Sequence, residues 1–283
     1  MPFSSESTPG LRLEHVVIRV DDLAVASRDY QSLGFQVVYG GVHGSGFTHN
    51  ALIYFQDGTF FELVAFRKVL TAKILLASGL LDLFLKHTNN HIKYRFIQAV
   101  RFPEGFMDAA LFSSDIVIDT ERANRGGLKT TKPVAFERKK PNNEILRWNI
   151  TSPFADALPF VRDAYVPEQH VGRDETRHDN GALGISLLVY AVKDLPATVA
   201  DYQRLSGKDI SISTEGGKHY AEFTLGGVAI RLLPVDAFPE LETLIANKRE
   251  TPVEVGLRTG GNASLGELPL AKTHQARIIL QQV

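Results

Sequence analysis

The feature that most constrains the fold is a repeat within the chain. Residues 16–33, VVIRVDDLAVASRDYQSL, reappear 172 residues later as LVYAVKDLPATVADYQRL, and eight of the eighteen positions are identical. The identical positions are Val17, Val20, Asp22, Leu23, Asp29, Tyr30, Gln31 and Leu33. So many matches at one fixed offset indicate a structural unit that the chain uses twice.

Each copy has the pattern of one strand, one helix and three further strands. In the first copy residues 11–20 predict a strand, Asp22 is placed to cap the helix that follows, and Gly34 ends that helix. The later strand candidates are FQVVYG (35–40), HNALIYF (49–55) and GTFFELVAF (58–66), then DISIST (209–214), HYAEFTL (219–225) and GVAIRLL (227–233) in the second copy. We therefore predict an α+β fold of repeated βαβββ modules whose sheets curl into cupped half-barrels.

Two further segments resemble this module more weakly. Residues 106–152 predict a strand, a helix near 119–126 and the strands AFERKK and EILRWNI. The tail predicts a helix over 238–248 and strands over 253–259 and 276–282.

Residues 67–100 are too long for a plain connector. They contain LLASGLLDLFLKH, whose spacing is typical of an amphipathic helix, and predict a helical insertion that covers a face of the protein or contacts a partner. We expect a first domain over 11–152 that includes this insertion, and a second, degenerate domain over 180–283.

Composition excludes several classes of function. The chain has no cysteine, which excludes disulfides, iron–sulfur clusters, thiolate zinc sites and cysteine nucleophiles. A net charge of −1 gives no basic surface for nucleic acid or an anionic membrane. The leader MPFSSESTPG lacks an apolar segment, and no window approaches the about 18 apolar residues of a membrane span. We expect a cytoplasmic protein that binds a small-molecule substrate, with a homodimer as the candidate assembly.

Two polar residues stand inside otherwise apolar strands. His15 lies in LEHVVIRVDDL and Glu62 in GTFFELVAF; strand alternation puts His15 on one face with Leu13, Val17 and Arg19. An ionised carboxylate in such a strand costs several kcal/mol unless a charged or protic group meets it. The second copy has Leu187 and Arg231 at the two places, so the module itself does not require His15 or Glu62. The pair is therefore predicted to be functional.

The segments LEHVVIRVDDL, HNALI, DGTFFELVAF and RHDNGALGI resemble the glyoxalase-like branch of the vicinal oxygen chelate superfamily, over roughly residues 11–235. The resemblance implies paired βαβββ modules around a cup. It also implies one divalent metal (Zn, Ni, Mn or Fe) held by a His on the first strand and a Glu on the fourth, which are His15 and Glu62 here.

The partner module departs from the family pattern. Members with a metal take two more ligands from that module. If the partner is the 106–152 segment, this chain offers Asp108 and either Glu144 or Arg147; if it is the later copy, Leu187 and Arg231 supply no ligand. Three hypotheses for the pair therefore stay open: a metal site, a buried contact of Glu62 with His15 or Arg19, and a metal-free acid–base pair. In the last, Glu62 is the base and His15 tunes it.

Other residues are candidates for substrate binding: His49, Asn50, Trp148, Arg147 and His178. His49 and Asn50 begin a strand at the expected mouth of the cup, whereas turn chemistry is the alternative. Trp148 and Arg147 lie on opposite faces of one strand, so only one of them can face the cup. His178 either reaches back to the first cup or serves a turn. His43 is interpreted as a solvent-exposed loop residue.

The leading functional hypothesis is a lyase or isomerase that polarises a carbonyl and moves a proton, with or without a metal. The alternative is a metal-free protein that binds a small molecule on a surface formed by Phe60, Phe66 and Trp148. A ring-cleaving dioxygenase is a third option; it needs two His and one carboxylate around Fe(II), and only His15 is well placed in the sequence.

Overall fold

In the computed structural model of the chain, the described residues are 10–67, 69–79, 91–246, 249–261 and 264–282. Their helices are α1 (Leu23–Ser32), α2 (Val69–Ala77), α3 (His91–Gln98), α4 (Ile116–Arg125), α5 (Leu195–Ser206) and α6 (Glu242–Ile245). The strands of the first half are β1 (Arg12–Val20), β2 (Val38–His43), β3 (Thr48–Tyr54), β4 (Phe60–Phe66), β5 (Gly105–Phe112), β6 (Val134–Lys139), β7 (Ile145–Thr151) and β8 (Phe160–Arg162). Those of the second half are β9 (Ala182–Val192), β10 (Ile212–Glu215), β11 (Lys218–Leu225), β12 (Val228–Pro234), β13 (Pro252–Thr259), β14 (Gly266–Glu267) and β15 (Ile278–Gln282).

The strands of the first half close into a barrel in the order β1-β4-β3-β2-β6-β7-β8-β5. The module over residues 12–66 supplies one side of this barrel and the segment over 105–162 supplies the other. The strands of the second half form a separate open sheet in the order β10-β11-β12-β9-β13-β15-β14. The predicted α+β fold with cupped sheets is confirmed, and the partner of the first module in the barrel is the segment that follows it rather than the second copy.

The repeat in sequence is also a repeat in strand register. The parallel pair β1–β4 aligns Val17 with Glu62, and the parallel pair β9–β12 aligns Val189 with Arg231. The same registers align His15 with Phe60 and Leu187 with Ala229. Leu187 and Arg231 therefore take the places of His15 and Glu62 in the second sheet.

An aspartate caps the module helix in all three places where it occurs. The Asp22 carboxylate accepts hydrogen bonds from the amides of residues 24 and 25, as the sequence predicts, and Gly34 follows the helix with a φ of 85°. Asp194 caps α5 through one amide, that of Ala197, because Pro196 has no N–H. Asp115 caps α4, which therefore begins at Ile116, three residues before the predicted start.

Several predicted boundaries differ from the structure. β2 runs to His43 rather than ending at Gly40, because a bulge at Gly40 lets the strand continue. The helix predicted over 238–248 is a 3₁₀ turn, Pro239–Leu241, followed by the short α6. Most of the amphipathic helix predicted within LLASGLLDLFLKH lies outside the described residues. No helix in the described part of the chain is long and apolar enough to span a membrane.

Two apolar clusters hold the structure together. The larger packs α1, α4 and α5 between the outer wall of the barrel and the second sheet, and unites buried residues of both halves. The hydroxyl groups of Tyr30 and Tyr202, which are identical in the repeat, donate to the carbonyls of Thr273 and Ala157 respectively, so each tyrosine ties its helix to another part of the chain. The smaller cluster lies inside the barrel and includes Val17, Val64, Trp148 and Phe160. The candidate site lies beside this smaller cluster.

Candidate active site

The polar centre of the barrel is formed by neighbouring strands β1 and β4. His15 and Glu62 both point into the barrel, where Nε2 of His15 lies 3.4 Å from Oε2 of Glu62. Only 5% of the His15 side chain and 14% of the Glu62 side chain are exposed, so the two groups meet with little water around them. Arg19 does not take part, since its guanidinium pairs with Asp21 at 2.6 Å.

A second histidine reaches the same carboxylate from β2. Nε2 of His43 lies 3.4 Å from Oε1 of Glu62, and its Nδ1 is 2.7 Å from the hydroxyl of Thr48. The side chain is 20% exposed, so the expectation of a solvent-exposed loop residue was wrong. The predicted strand ended at Gly40, whereas β2 continues past a bulge there to His43, which points into the barrel.

Asn50 completes the contacts of Glu62. Its Nδ2 donates a hydrogen bond of 2.6 Å to Oε1 of Glu62, and the residue is fully buried. Its neighbour His49 lies on the other face of β3, edge-to-face with the exposed ring of Tyr39. Asn50 therefore belongs to the site and His49 lies outside it.

A further carboxylate, that of Glu14, contacts the other ring nitrogen of His15. Oε2 of Glu14 lies 3.1 Å from Nδ1 of His15 and 3.4 Å from Nε of Arg162. The register of β1 against β5 skips Glu14, which marks a bulge at this residue. Leu13 consequently packs with Val16 in the outer core rather than on the His15 face, so strand alternation assigned Leu13 to the wrong face. Strict alternation also hides Glu14 from a sequence-based search.

These contacts form a row of alternating charge: Arg162, Glu14, His15 and Glu62. Burial alone would lower the pKa of His15, but its hydrogen bonds with the two carboxylates raise it, which favours the imidazolium form. Burial alone would raise the pKa of Glu62; the hydrogen bonds from His15 and His43 outweigh it and hold that pKa well below its usual range. Burial alone would also raise the pKa of Glu14, but the charge of Arg162 and the hydrogen bond with His15 lower it. Both carboxylates are therefore ionised at neutral pH.

Aromatic side chains surround this row. The Phe60 ring stacks on His15 with centroids 4.5 Å apart, and Trp148 lies against Phe136 and Tyr165 at 6.4 and 5.1 Å. Trp148 is thus the member of its strand that faces the barrel. Such walls suit an apolar or planar small molecule.

The remaining candidates from the sequence lie elsewhere. Arg147 is on the outer face of β7, with its Nε 3.5 Å from Oε2 of the exposed Glu137. His178 accepts a hydrogen bond from the amide of Gln36 and donates one to the carbonyl of Tyr54, so both ring nitrogens serve the packing of the chain. Its pKa is lowered by burial, as expected for a neutral structural histidine.

The two carboxylates considered as further metal ligands have other partners. Asp108 is buried in ion pairs with Arg95 at 2.5 Å and Arg249 at 2.9 Å. Glu144 pairs with Lys140 at 2.8 Å. Neither carboxylate is part of the cluster around Glu62.

The class of protein follows from this arrangement. A barrel of paired βαβββ modules with its polar groups inside the cup is the fold of the vicinal oxygen chelate superfamily. The glyoxalase-like domain family model matches residues 13–206, and the chain belongs to that family.

Solved structures agree with this fold. A hypothetical protein from Staphylococcus aureus superposes with a TM-score of 0.70 at 15% identity, covering 96% of this chain and 100% of that one. A mutant of 4-hydroxymandelate synthase from Streptomyces coelicolor gives a TM-score of 0.55 at 12% identity, covering 93% and 78%. A fusion of a xylose isomerase-like TIM barrel with 4-hydroxyphenylpyruvate dioxygenase gives 0.51 at 15% identity, covering 93% and 41%. At these identities the likeness concerns the fold alone. No curated protein matches.

Superfamily members often use divalent metals, and in this chain the donors nearest to Glu62 are His15, His43 and Asn50. Each oxygen of Glu62 faces a different imidazole, and Asn50 already donates to one of them. Among the described residues no group of three or more His, Asp or Glu side chains is arranged to hold a metal ion. As placed, the residues form a hydrogen-bonded acid–base cluster and do not fit a metal centre.

Proposed function

We propose that the chain is an enzyme of the lyase or isomerase kind that moves a proton next to a carbonyl group of a small organic substrate. The observation that carries the proposal is the position of Glu62. An ionised carboxylate stands inside the barrel, contacted by His15, His43 and Asn50, beside an aromatic wall. Such a group needs a reason to be buried, and proton transfer supplies one.

Glu62 is the base in this proposal. It takes a proton from the carbon beside the carbonyl; the electrons of that C–H bond move to the carbonyl oxygen and give an enolate. Return of the proton to another atom gives an isomer, and loss of a leaving group from the enolate gives a lyase reaction. His43 is partly exposed and only 3.4 Å from Glu62, a long contact, so we assign it to donate to the carbonyl oxygen.

The lowered pKa of Glu62 sets a condition on this chemistry. A carboxylate with a low pKa is a weak base. When a substrate oxygen takes the hydrogen bond from His43, Glu62 loses one of its stabilising contacts, and its pKa rises toward the usual range. The buried His15, with Glu14 and Arg162 behind it, then holds the cluster in place during the transfer. No step through a metal follows from the residues as placed.

The second candidate function is a metal-free protein that binds a small molecule without transforming it. The aromatic side chains around the barrel favour it, since Phe60, Trp148 and Tyr165 offer ring faces and edges to a planar ligand. The two functions share the cup and differ in whether Glu62 exchanges a proton.

Solvent exchange of substrate protons separates the two. A panel of small carbonyl compounds (pyruvate, 2-oxobutyrate and dihydroxyacetone among them) is incubated with the protein in D₂O, and loss of the C–H signal is followed by NMR. We expect catalysed exchange that falls by about 10²–10⁴-fold in Glu62→Gln. Glu222→Gln, on the exposed surface of the second sheet, is the matched control and keeps full activity.

Metal analysis of the same preparations tests the metal form of the hypothesis. Stoichiometric metal that is lost in both His15→Ala and Glu62→Ala would contradict the acid–base cluster proposed here. Saturable binding without exchange by any compound of the panel favours the binding protein.

A further inference from the structure

Arg138 on β6 is a buried cation without an anionic partner. Its side chain is 1% exposed, and no carboxylate among the described residues forms an ion pair with it. Its Nε has no hydrogen-bond partner, while Nη2 donates to the amide oxygen of Gln169 at 2.9 Å and the guanidinium also hydrogen-bonds the neutral Tyr54 hydroxyl. Burying a charge costs several kcal/mol unless it is paired. A cation kept at this cost in the barrel interior points to an anion that binds there.

Around Glu62, charge balance leaves Arg138 without an anion of its own. In the row described above, Arg162 pairs with Glu14, and His15 pairs with Glu62. Both carboxylates of the barrel interior are therefore matched by cations. The ring of Tyr165, with its centroid 5.4 Å from Arg138, offers only a weak cation–π contact.

The position of Arg138 connects it to Glu62. A Cβ atom on Gly40 would lie 3.2 Å from Nη1 of Arg138 and 2.3 Å from Oδ1 of Asn50. The Asn50 amide in turn donates to Glu62. Arg138 and Asn50 therefore lie beside the same glycine, and Asn50 connects that place to Glu62.

Residues 163–172, named the strap here, cross the barrel beside Arg138. Tyr165, Gln169 and Val171 of the strap are partly buried against the barrel, whereas the residues between them are largely exposed. The amide nitrogen of Gln169 donates to the hydroxyl of Tyr54. The strap thus presents one neutral oxygen to the guanidinium, and a carboxylate makes a stronger contact with a guanidinium than an amide does.

We propose that Arg138 binds the carboxylate of a small organic acid, and that this carboxylate replaces the amide oxygen of Gln169 on the guanidinium. The inference rests on the proposed function in one respect: the acid is taken to be the substrate whose carbon faces Glu62. The aromatic wall beside it selects acids with an apolar or planar body. The substrate class is therefore small carbonyl compounds that carry a carboxylate.

The test compares acids with their neutral amides. Benzoate and phenylacetate are titrated against benzamide and phenylacetamide, with the fluorescence of Trp148, the sole tryptophan, and calorimetry as readouts. We expect saturable binding of an acid and at least about tenfold weaker binding of its amide. Arg138→Gln lowers the affinity for the acid by at least about tenfold, whereas Lys139→Gln, the exposed neighbour on the opposite face of β6, leaves it unchanged.

Folding of the variants is checked with Arg138→Met. An apolar side chain of similar volume in place of an unpaired buried charge is expected to leave the melting temperature unchanged or raised. Gln169→Ala removes the amide oxygen that competes with the carboxylate for Arg138, so the acid is expected to bind more tightly. Equal binding of acids and amides, acid binding undiminished in both Arg138 variants, or no saturable response to either acid would overturn the inference.

Failure of the proposed function has a different signature. Glu62→Gln is expected to keep the preference for acids, because it does not touch Arg138. If acid binding depends on Arg138 but no compound exchanges its protons in D₂O, the proposed enzyme function is contradicted. The carboxylate site at Arg138 is then still supported.

Discussion

Glu14 and His15 are consecutive residues of one strand, yet Oε2 of Glu14 lies 3.1 Å from Nδ1 of His15. Neighbouring side chains of a regular strand point to opposite faces, so this contact exists only because β1 bulges at Glu14. The bulge places His15 between two carboxylates, with Glu62 at its other nitrogen. The local backbone geometry is therefore what allows an imidazolium to be held inside the barrel.

Replacing Glu14 tests this relationship. Glu14→Gln removes the charge beside Nδ1, so the raised pKa of His15 is expected to fall, as followed by the NMR titration of its ring protons. Arg162 loses its carboxylate at the same time and becomes a buried unpaired charge, so we expect a loss of about 3 kcal/mol in the free energy of unfolding. Glu144→Gln, near the protein surface, is the control. An unchanged His15 titration would contradict the assigned contact.

The same cluster predicts how stability depends on pH. The pKa of His15 is raised above 6.5, so its contribution is fully present below pH 6.5 and is lost as pH rises through the folded pKa. The pKa of Glu62 is lowered below 4.5, so its contribution is present above pH 4.5 and is lost as pH falls through the folded pKa. The stabilisation contributed by the pair is therefore largest between about pH 4.5 and 6.5.

Thermal unfolding of the wild type and of His15→Asn across this range measures that contribution. The difference in melting temperature is expected to peak between the two limits and to shrink on either side. His178→Asn serves for comparison, because the pKa of His178 is lowered and its contribution is present above pH 6.5 instead. A His15 difference that grows steadily above pH 7 would be inconsistent with a raised pKa.

The fold was largely predictable from the sequence because the repeat has a clear physical basis. The capping aspartates and the buried tyrosines mark the same strand–turn–helix at both places, and the second copy shows that the module does without His15 and Glu62. That comparison led to the two central residues of the candidate site. It also predicts that they serve a function rather than packing, an inference that a single copy does not allow.

The rest of the site was hidden by irregular backbone and by distance along the chain. A bulge at Glu14 breaks the alternation from which strand faces are read, so Glu14 was missed. His43 was missed because β2 continues past the bulge at Gly40, where the predicted strand ended. Arg138 meets Gln169 through a loop that has no periodic pattern. The Gly-Gly step in β2 was the one local signal of a bulge, since glycine inside a strand often marks one.

Gly40 offers a steric test of the site. An added methyl group would lie 2.3 Å from Oδ1 of Asn50, so Gly40→Ala must displace Asn50 from Glu62. We expect a loss of about 1–3 kcal/mol in the free energy of unfolding, together with loss of proton exchange activity. Gly126→Ala, where the nearest atom is at an ordinary 3.4 Å, is the matched control. Unchanged activity in Gly40→Ala would remove Asn50 from the proposed machinery.

The contact between the two halves of the chain can be measured at Tyr30. Its hydroxyl donates to the carbonyl of Thr273 at 3.0 Å, and the side chain is fully buried. Tyr30→Phe removes this hydrogen bond and leaves the Ala276 amide as the donor to that carbonyl, so we expect a loss of about 0.5–1.5 kcal/mol in the free energy of unfolding. Tyr39→Phe, on a ring that is 48% exposed, is expected to cost far less. Chemical denaturation of both variants gives the two values. Equal losses would mean that the repeated tyrosine does not tie the barrel to the second half.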